Sequence, residues 1–205
     1  MPGAIYTIGH SVHSPEDFLA LLKRHEIDTL CDVRSHPYSR NPQFHRESLA
    51  HDLKLAGMGY VFLGAELGAR SSDPSCYEQG KVRYDKLART DLFRQGIARL
   101  TSGAARLRVA LMCAEKDPLD CHRTILIAPH ILAAGFDVQH ILADGKLESH
   151  ADALGRLRRQ LDLPEYDLFR SAEDVIADAC RIQAGRIAFT TERSSPRQAS
   201  RAAAG

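Results

Sequence analysis

The sequence lacks an excess of charge of either sign: 27 Lys and Arg face 26 Asp and Glu, for a net charge of +1. That balance argues against a general polyanion binder, although local basic clusters can still form. Long apolar runs are also missing. None approaches the roughly 20 residues that a membrane-spanning helix needs, so no membrane association is expected. The N-terminal MPGAIYTIGH has neither a basic leader nor a long apolar segment, and no secretion signal is expected from it. Cysteines are few and odd in number. The five, at positions 31, 76, 113, 121 and 180, are scattered, which argues for reduced thiols in a cytoplasmic protein rather than a disulfide framework. What remains is ordinary for a soluble globular chain: 44% hydrophobic and 26% charged residues over 205 positions, enough for one domain with a substantial core.

Apolar runs of strand length alternate with helical patterns. Strands are expected at Ala4–Ile8, Ile27–Val33, Tyr60–Leu63, Leu107–Met112 and Phe136–Leu142. Ser14-Pro15-Glu16-Asp17 reads as a helix start, with Ser as N-cap, Pro at the first helical position and an acid at the third. Further helices are expected over His45–Met58, with Leu49, Leu53 and Leu55 or Ala56 inward, over about 85–102, and from about Asp120. The fold class is therefore α/β: a mainly parallel five-stranded sheet in three layers, with helices on both faces. Right-handed crossovers make the order 3-2-1-4-5 the commonest solution. That order sets His10 beside Cys113 at the carboxyl edge, where such sheets bind ligands. Beyond Lys146 the pattern is helical without strands, a C-terminal extension over Leu147–Leu161 and about 172–188. Residues 1–189 form one domain on this reading, and 190–205 a disordered tail.

The stretch around which the chain is organised runs from Leu107 to His130: LRVALMC, AEKDPLD, CHRTILIAPH. An apolar strand leads into a polar loop, and a helix opens near Asp120 with Cys121, His122 and Arg123 in its first turn. Helix starts leave unpaired N–H groups that favour anions. Cys121 there would have its thiolate favoured by the dipole and by Arg123, and the polar loop implies partial solvent access; the bland alternative is a small buried residue. Glu115 could serve as a general base or cap the helix. His10, after the first strand, could act as acid or base because an imidazole titrates near neutrality. Arg34 and Arg40 suit phosphate or carboxylate, unless Arg34 forms a structural bridge with Asp32 or Glu66. His36, His45 and Arg46 are weaker members of the same cluster. The candidate set is thus Cys121, Glu115 and His10 for catalysis, with Arg34, Arg40, Ser11, Cys113, His122 and Arg123 for substrate.

Cys113, Cys121, His122 and His10 have the donor chemistry of a tetrahedral site, but the C-x7-C-H spacing matches no common zinc signature, so no metal is expected. Nor does the segment match a phosphatase loop: a cysteine followed by arginine two residues later cannot wrap the loop that a five-residue gap allows. No cofactor is indicated by the residues.

TIGHS at Thr7–Ser11, DVRSHPYSR at Asp32–Arg40, CAEKDPLDCHR at Cys113–Arg123 and HILADG at His140–Gly145 together resemble the domain-of-unknown-function family numbered 488. The resemblance runs over roughly residues 4–189. It implies an α/β fold and supplies no settled activity. LGAELGAR at Leu63–Arg70 carries Ala69 where the pattern leads one to expect a second glycine. Two functions of different class follow. One is an enzyme acting on a phosphate-bearing small molecule, a nucleotide or a nucleic-acid end, with an anion site at the carboxyl edge of the sheet. The other is a non-catalytic nucleotide- or nucleic-acid-binding module, which needs the arginines but has no use for Glu115 or a reactive thiol.

Overall fold

The computed structural model describes residues 3–165 and 169–191. The chain alternates as the pattern implies. β1 (Ala4–Gly9) leads to α1 (Pro15–Arg24), β2 (Thr29–Asp32), α2 (Arg46–Leu55), β3 (Gly59–Phe62) and a short α3 (Gly64–Leu67). The long segment that follows folds into a hairpin of β4 (Tyr77–Glu78) and β5 (Lys81–Val82), then α4 (Tyr84–Leu87) and α5 (Asp91–Ala104). β6 (Val109–Cys113), α6 (Ala128–Ala133), β7 (Asp137–Ile141), β8 (Leu147–Ser149), α7 (His150–Gln160) and α8 (Ala172–Ile187) complete it. The first helix starts where its sequence says it must: Ser14 is the N-cap, its hydroxyl accepts from the Asp17 amide, and Pro15 occupies the first position.

The main sheet has six strands, not five, in the order β3-β2-β6-β1-β7-β8. Both the count and the expected order 3-2-1-4-5 are corrected. The sixth strand arises because the Asp144-Gly145 turn closes a hairpin: the Leu142 amide bonds the Lys146 carbonyl at 2.9 Å, and β8 runs antiparallel to β7. The segment after Lys146 is therefore strand before it is helix. The order differs because β6, rather than β1, is central. All five of its residues are buried, and an unbroken apolar strand is best satisfied with a neighbour on each side and cover on both faces. β1 and β2 stand one position apart, and β6 fills the slot between them, parallel to both.

Alternate residues of the strands feed two apolar clusters. Ile5, Cys31, Val33, Val109, Leu111 and Cys113 join one, with residues of α5, α6, α7 and α8. Tyr6, Ile8, Leu30, Ala110 and Met112 join the other, with Phe18 and Leu22 of α1 and Leu49 and Leu53 of α2. Leu55 points outward and is exposed, leaving Ala56 as the partly buried residue at that turn. The described part of the expected tail, Thr190 and Thr191, pairs with the β4–β5 hairpin; the rest lies outside the described residues. Among the described residues no helix is long and apolar enough to cross a membrane.

Candidate functional site

The central place of β6 decides which residues meet. The carboxyl ends of β1, β6 and β2 lie side by side, so His10, Cys113 and the Val33–Arg34 segment share one edge. The His10 amide bonds the Cys113 carbonyl at 2.9 Å, and the Val33 amide bonds the Met112 carbonyl at 3.1 Å. A cleft of about 270 Å³ opens there, lined by Arg34, Ser35, His36, Tyr38, Ala69, Arg70 and Cys113–Glu115 with His122.

Three loops build this edge. The first, after β1, backs the cleft without lining it. Ser11 holds φ +46, a left-handed turn uncommon for a residue with a side chain. Backbone bonds from its amide to Ala114 (3.0 Å) and from Asn41 Nδ2 to its carbonyl (3.2 Å) hold it there. Ser11 thus serves through its backbone and stands outside the cleft lining. The second wall follows β2, and α3 rests directly on it: a Cβ at Gly64 would lie 2.0 Å from the Arg34 carbonyl oxygen, so only glycine permits the approach. That packing carries Arg70 to the cleft, its guanidinium 4.3 Å from the Phe189 ring centroid.

The third wall is the loop after β6. Arg123, buried at 1% exposure, donates from Nη1 to the Glu115 carbonyl (2.9 Å) and from Nη2 to that of Lys116 (3.4 Å), while its Nε has no partner. Farther along, Arg156 of α7 bonds Asp117 at 2.7 Å and Glu148 at 2.8 Å, and Gln183 of α8 donates to the Leu119 carbonyl at 3.0 Å. The C-terminal helices therefore hold the loop from behind.

The expectation that Cys121 sits in the first turn of a helix is corrected. It is extended (φ −132, ψ 144), because Pro118–Asp120 already forms a separate 3-10 turn capped by Asp117. Helical backbone begins at His122, followed by a π-helical turn over Arg123–Ile127, a form that recurs at functional sites. The Cys121 side chain turns into the protein at 1% exposure, so the expected solvent access is absent. Cys113, 4% exposed, is the sulfur that lines the cleft.

Cys113 Sγ and Cys121 Sγ lie 3.8 and 3.6 Å from His122 Nδ1, and His122 Nε2 donates to the Val33 carbonyl at 3.2 Å. The three ligand atoms all fall within 4.8 Å of one another. Burial opposes ionisation of Cys121, but its hydrogen bond with Cys113, then Arg123 and His122, outweigh that and hold its thiol well below the usual cysteine range. The same hydrogen bond, with burial, pushes Cys113 well above it. The two shifts run in opposite directions because the sulfurs titrate as a pair. Glu115 is exposed as a residue, yet its carboxyl is screened at the cleft, and that burial with the Cys121 thiolate shifts its pKa upward.

Arg34 and Asp32 form a buried bidentate pair, Nε to Oδ1 at 2.9 Å and Nη2 to Oδ2 at 2.6 Å, which Tyr60 extends with a 2.8 Å bond to Oδ2. The structural bridge weighed for Arg34 with Asp32 is real, and Glu66 instead pairs with Arg99. Arg34 Nη1 also donates to His10 Nε2 at 3.4 Å. A guanidinium only donates, so Nε2 is the accepting nitrogen and Nδ1 bonds the Ser11 carbonyl at 3.1 Å. Burial, then Arg34, lowers the His10 pKa to about 4. His10 stacks on Phe44 at 4.4 Å and stands behind Arg34, outside the cleft. Arg40 is exposed and also lies outside it.

A family model described as domain of unknown function DUF488 matches residues 14–128. The chain belongs to the DUF488 family. The match is narrower than the expected span of 4–189. It contains the Asp32–Arg40 and Cys113–Arg123 motifs that build the cleft, whereas TIGHS and HILADG fall outside it. No curated protein and no solved structure matches this DUF488 chain. Of the expected site residues, the structure brings Arg34, Cys113, Glu115 and His122 to the cleft and sets Cys121, Arg123 and His10 in the shell around it. Arg70 is the charged lining residue that sequence reasoning missed, and Ser35 and Tyr38 are polar ones. The signal for Arg70 was available, since LGAELGAR also follows the carboxyl end of a parallel strand.

Proposed function

We propose that this DUF488 protein is an enzyme acting on a phosphate-bearing group presented by a small molecule, a nucleotide or a nucleic-acid end, bound in the cleft at the carboxyl edge of a Rossmann-like, three-layer fold. One observation carries the reading: the cleft joins two guanidinium groups, those of Arg34 and Arg70, and the His36 imidazole to a reacting set of Cys113, Glu115 and His122. Guanidinium forks suit phosphate oxygens. Arg70, stacked on Phe189, has no hydrogen-bond partner for its guanidinium among the described residues, and Arg34 contributes mainly its charge because its donors are committed to Asp32 and His10. A volume of about 270 Å³ fits a phosphorylated end better than a large ligand. Glu115 faces that end as the acid or base, His122 orients the Cys113 and Cys121 sulfurs beside it, and His10 acts as a positioning residue through Arg34.

Isothermal titration with inorganic phosphate and with 5′-mononucleotides tests the binding half. Arg70→Ala is expected to weaken binding about ten- to hundredfold, the worth of one charge-assisted contact. Phosphorus NMR of phosphorylated nucleosides incubated with the protein tests the chemical half. Equal binding by wild type and Arg70→Ala would contradict the assignment of the cleft. Tight binding without any product would favour the non-catalytic module.

A further inference from the structure

Cys113, Cys121 and His122 have a geometry that nothing in their spacing announces. In a tetrahedral zinc site, metal–sulfur bonds of about 2.3 Å and metal–nitrogen bonds of about 2.0–2.1 Å set a sulfur and a nitrogen ligand roughly 3.5–3.6 Å apart. His122 Nδ1 lies 3.6 Å from Cys121 Sγ and 3.8 Å from Cys113 Sγ, on the side of the ring that faces both thiols. Such lengths serve a hydrogen bond to sulfur, and they are also close to the nitrogen–sulfur edge lengths of a metal tetrahedron.

The surroundings match a ligand set as well. His122 Nε2 donates to the Val33 carbonyl at 3.2 Å, which leaves Nδ1 as the nitrogen a metal would take, as the outer nitrogen of a metal-bound histidine does. The Arg123 amide donates to Cys121 Sγ at 3.5 Å, the kind of bond that steadies a thiolate. The loop carrying the second and third ligands is tied down by Arg156 and Gln183. Cys113 and His122 line the cleft, so an ion has a way in. Two sulfurs and one imidazole select a borderline-soft divalent ion over magnesium or calcium.

We propose that Cys113, Cys121 and His122 bind one zinc-type divalent metal ion, with the fourth coordination position turned towards the cleft. Three protein ligands and one open position are the pattern of a catalytic rather than a structural site. The ion holds both sulfurs as thiolates, and binding releases the protons that the metal-free ligands carry. The site rests on these three residues alone and does not require that the cleft take phosphate.

Cobalt(II) is the probe, because tetrahedral thiolate coordination gives it intense visible bands and a near-ultraviolet sulfur-to-metal charge-transfer band. Metal-free full-length protein is expected to develop both at one equivalent, and zinc to bleach them. Cys121→Ser should lose most of the charge-transfer intensity, whereas Cys180→Ser, far along α8, should keep all of it. A second measurement needs no variant: zinc should slow iodoacetamide labelling of Cys113 and Cys121, read by mass spectrometry, and leave Cys180 unchanged. Weak, octahedral-type cobalt spectra with wild-type protein would overturn the proposal. Equal labelling of Cys113 and Cys121 with and without zinc would do the same. Phosphate titration of the metal-free protein separates the two readings, since the site can fail while Arg70-dependent binding survives, and the reverse.

Discussion

Arg34→Ala is the substitution that most sharply separates anchoring from ligand binding. Asp32 is fully buried, and Arg34 is its only charged partner within 4 Å among the described residues. Truncation strands a carboxylate inside the protein, and removing one member of such a pair costs about 3–5 kcal/mol. Two of the carboxylate's bonds survive, one from the Arg34 amide at 3.1 Å and one from the Tyr60 hydroxyl at 2.8 Å, so the lower end, about 3 kcal/mol, is expected. For a chain of this length that lowers the melting temperature by roughly 6–12 °C. Circular dichroism during urea unfolding is the suitable assay, because the sequence has no tryptophan to report by fluorescence. Combining Arg34→Met with Asp32→Asn removes the stranded charge while leaving an acceptor for Tyr60, and should restore most of the loss. An Arg34→Ala protein within about 0.5 kcal/mol of wild type, the range of ordinary surface changes, would refute the argument.

Gly9→Ala should destabilise by about 1–3 kcal/mol and weaken phosphate binding, since its Cβ would lie 1.9 Å from the Glu115 carbonyl oxygen that Arg123 holds. Gly103→Ala, whose Cβ meets nothing within 4 Å, is the matched control and should be neutral or stabilising in the same melts. Acid should destabilise the fold through buried neutral histidines. Burial lowers His140 to about 3, helped by His150, and lowers His150 to about 4, as it does His10. The unfolded chain protonates near pH 6.5, so stability is held above that pH and lost as pH falls towards 4. Each histidine costs about 1.6 kcal/mol between pH 6.5 and 5. Urea midpoints that stay flat over that interval would exclude these protonation states, and His140→Gln should shallow the slope.

The fold was legible wherever one local rule sufficed. Ser14-Pro15-Glu16-Asp17 carries its own helix start, and the apolar runs mark all five parallel strands. Strand order was not legible, because it depends on which pair of strands leaves a slot, and no local residue records that. The edge strand Leu147–Ser149 was hidden for a different reason: three residues before a strongly helical segment leave no period to read. At the site, the strand-end logic rightly brought His10, Arg34 and Cys113 to one edge. Cys121 was placed wrongly because the helical pattern read as opening near Asp120 takes in Cys121, whereas Asp117-Pro118 starts a separate 3-10 turn that ends at Asp120 and leaves Cys121 extended. The same error concealed the metal geometry. A C-x7-C-H spacing fits no familiar pattern until the extended residue folds the second sulfur back beneath the first.

The central claim is that the cleft between the β1, β2 and β6 edges takes a phosphate-bearing group, and a crystal structure of the protein soaked with inorganic phosphate and then with a 5′-mononucleotide tests it most directly. The expected result is phosphate density within hydrogen-bonding distance of the Arg70 guanidinium and facing Cys113 and His122. A cleft left empty at saturating ligand, or an anion bound only elsewhere on the surface, would contradict it.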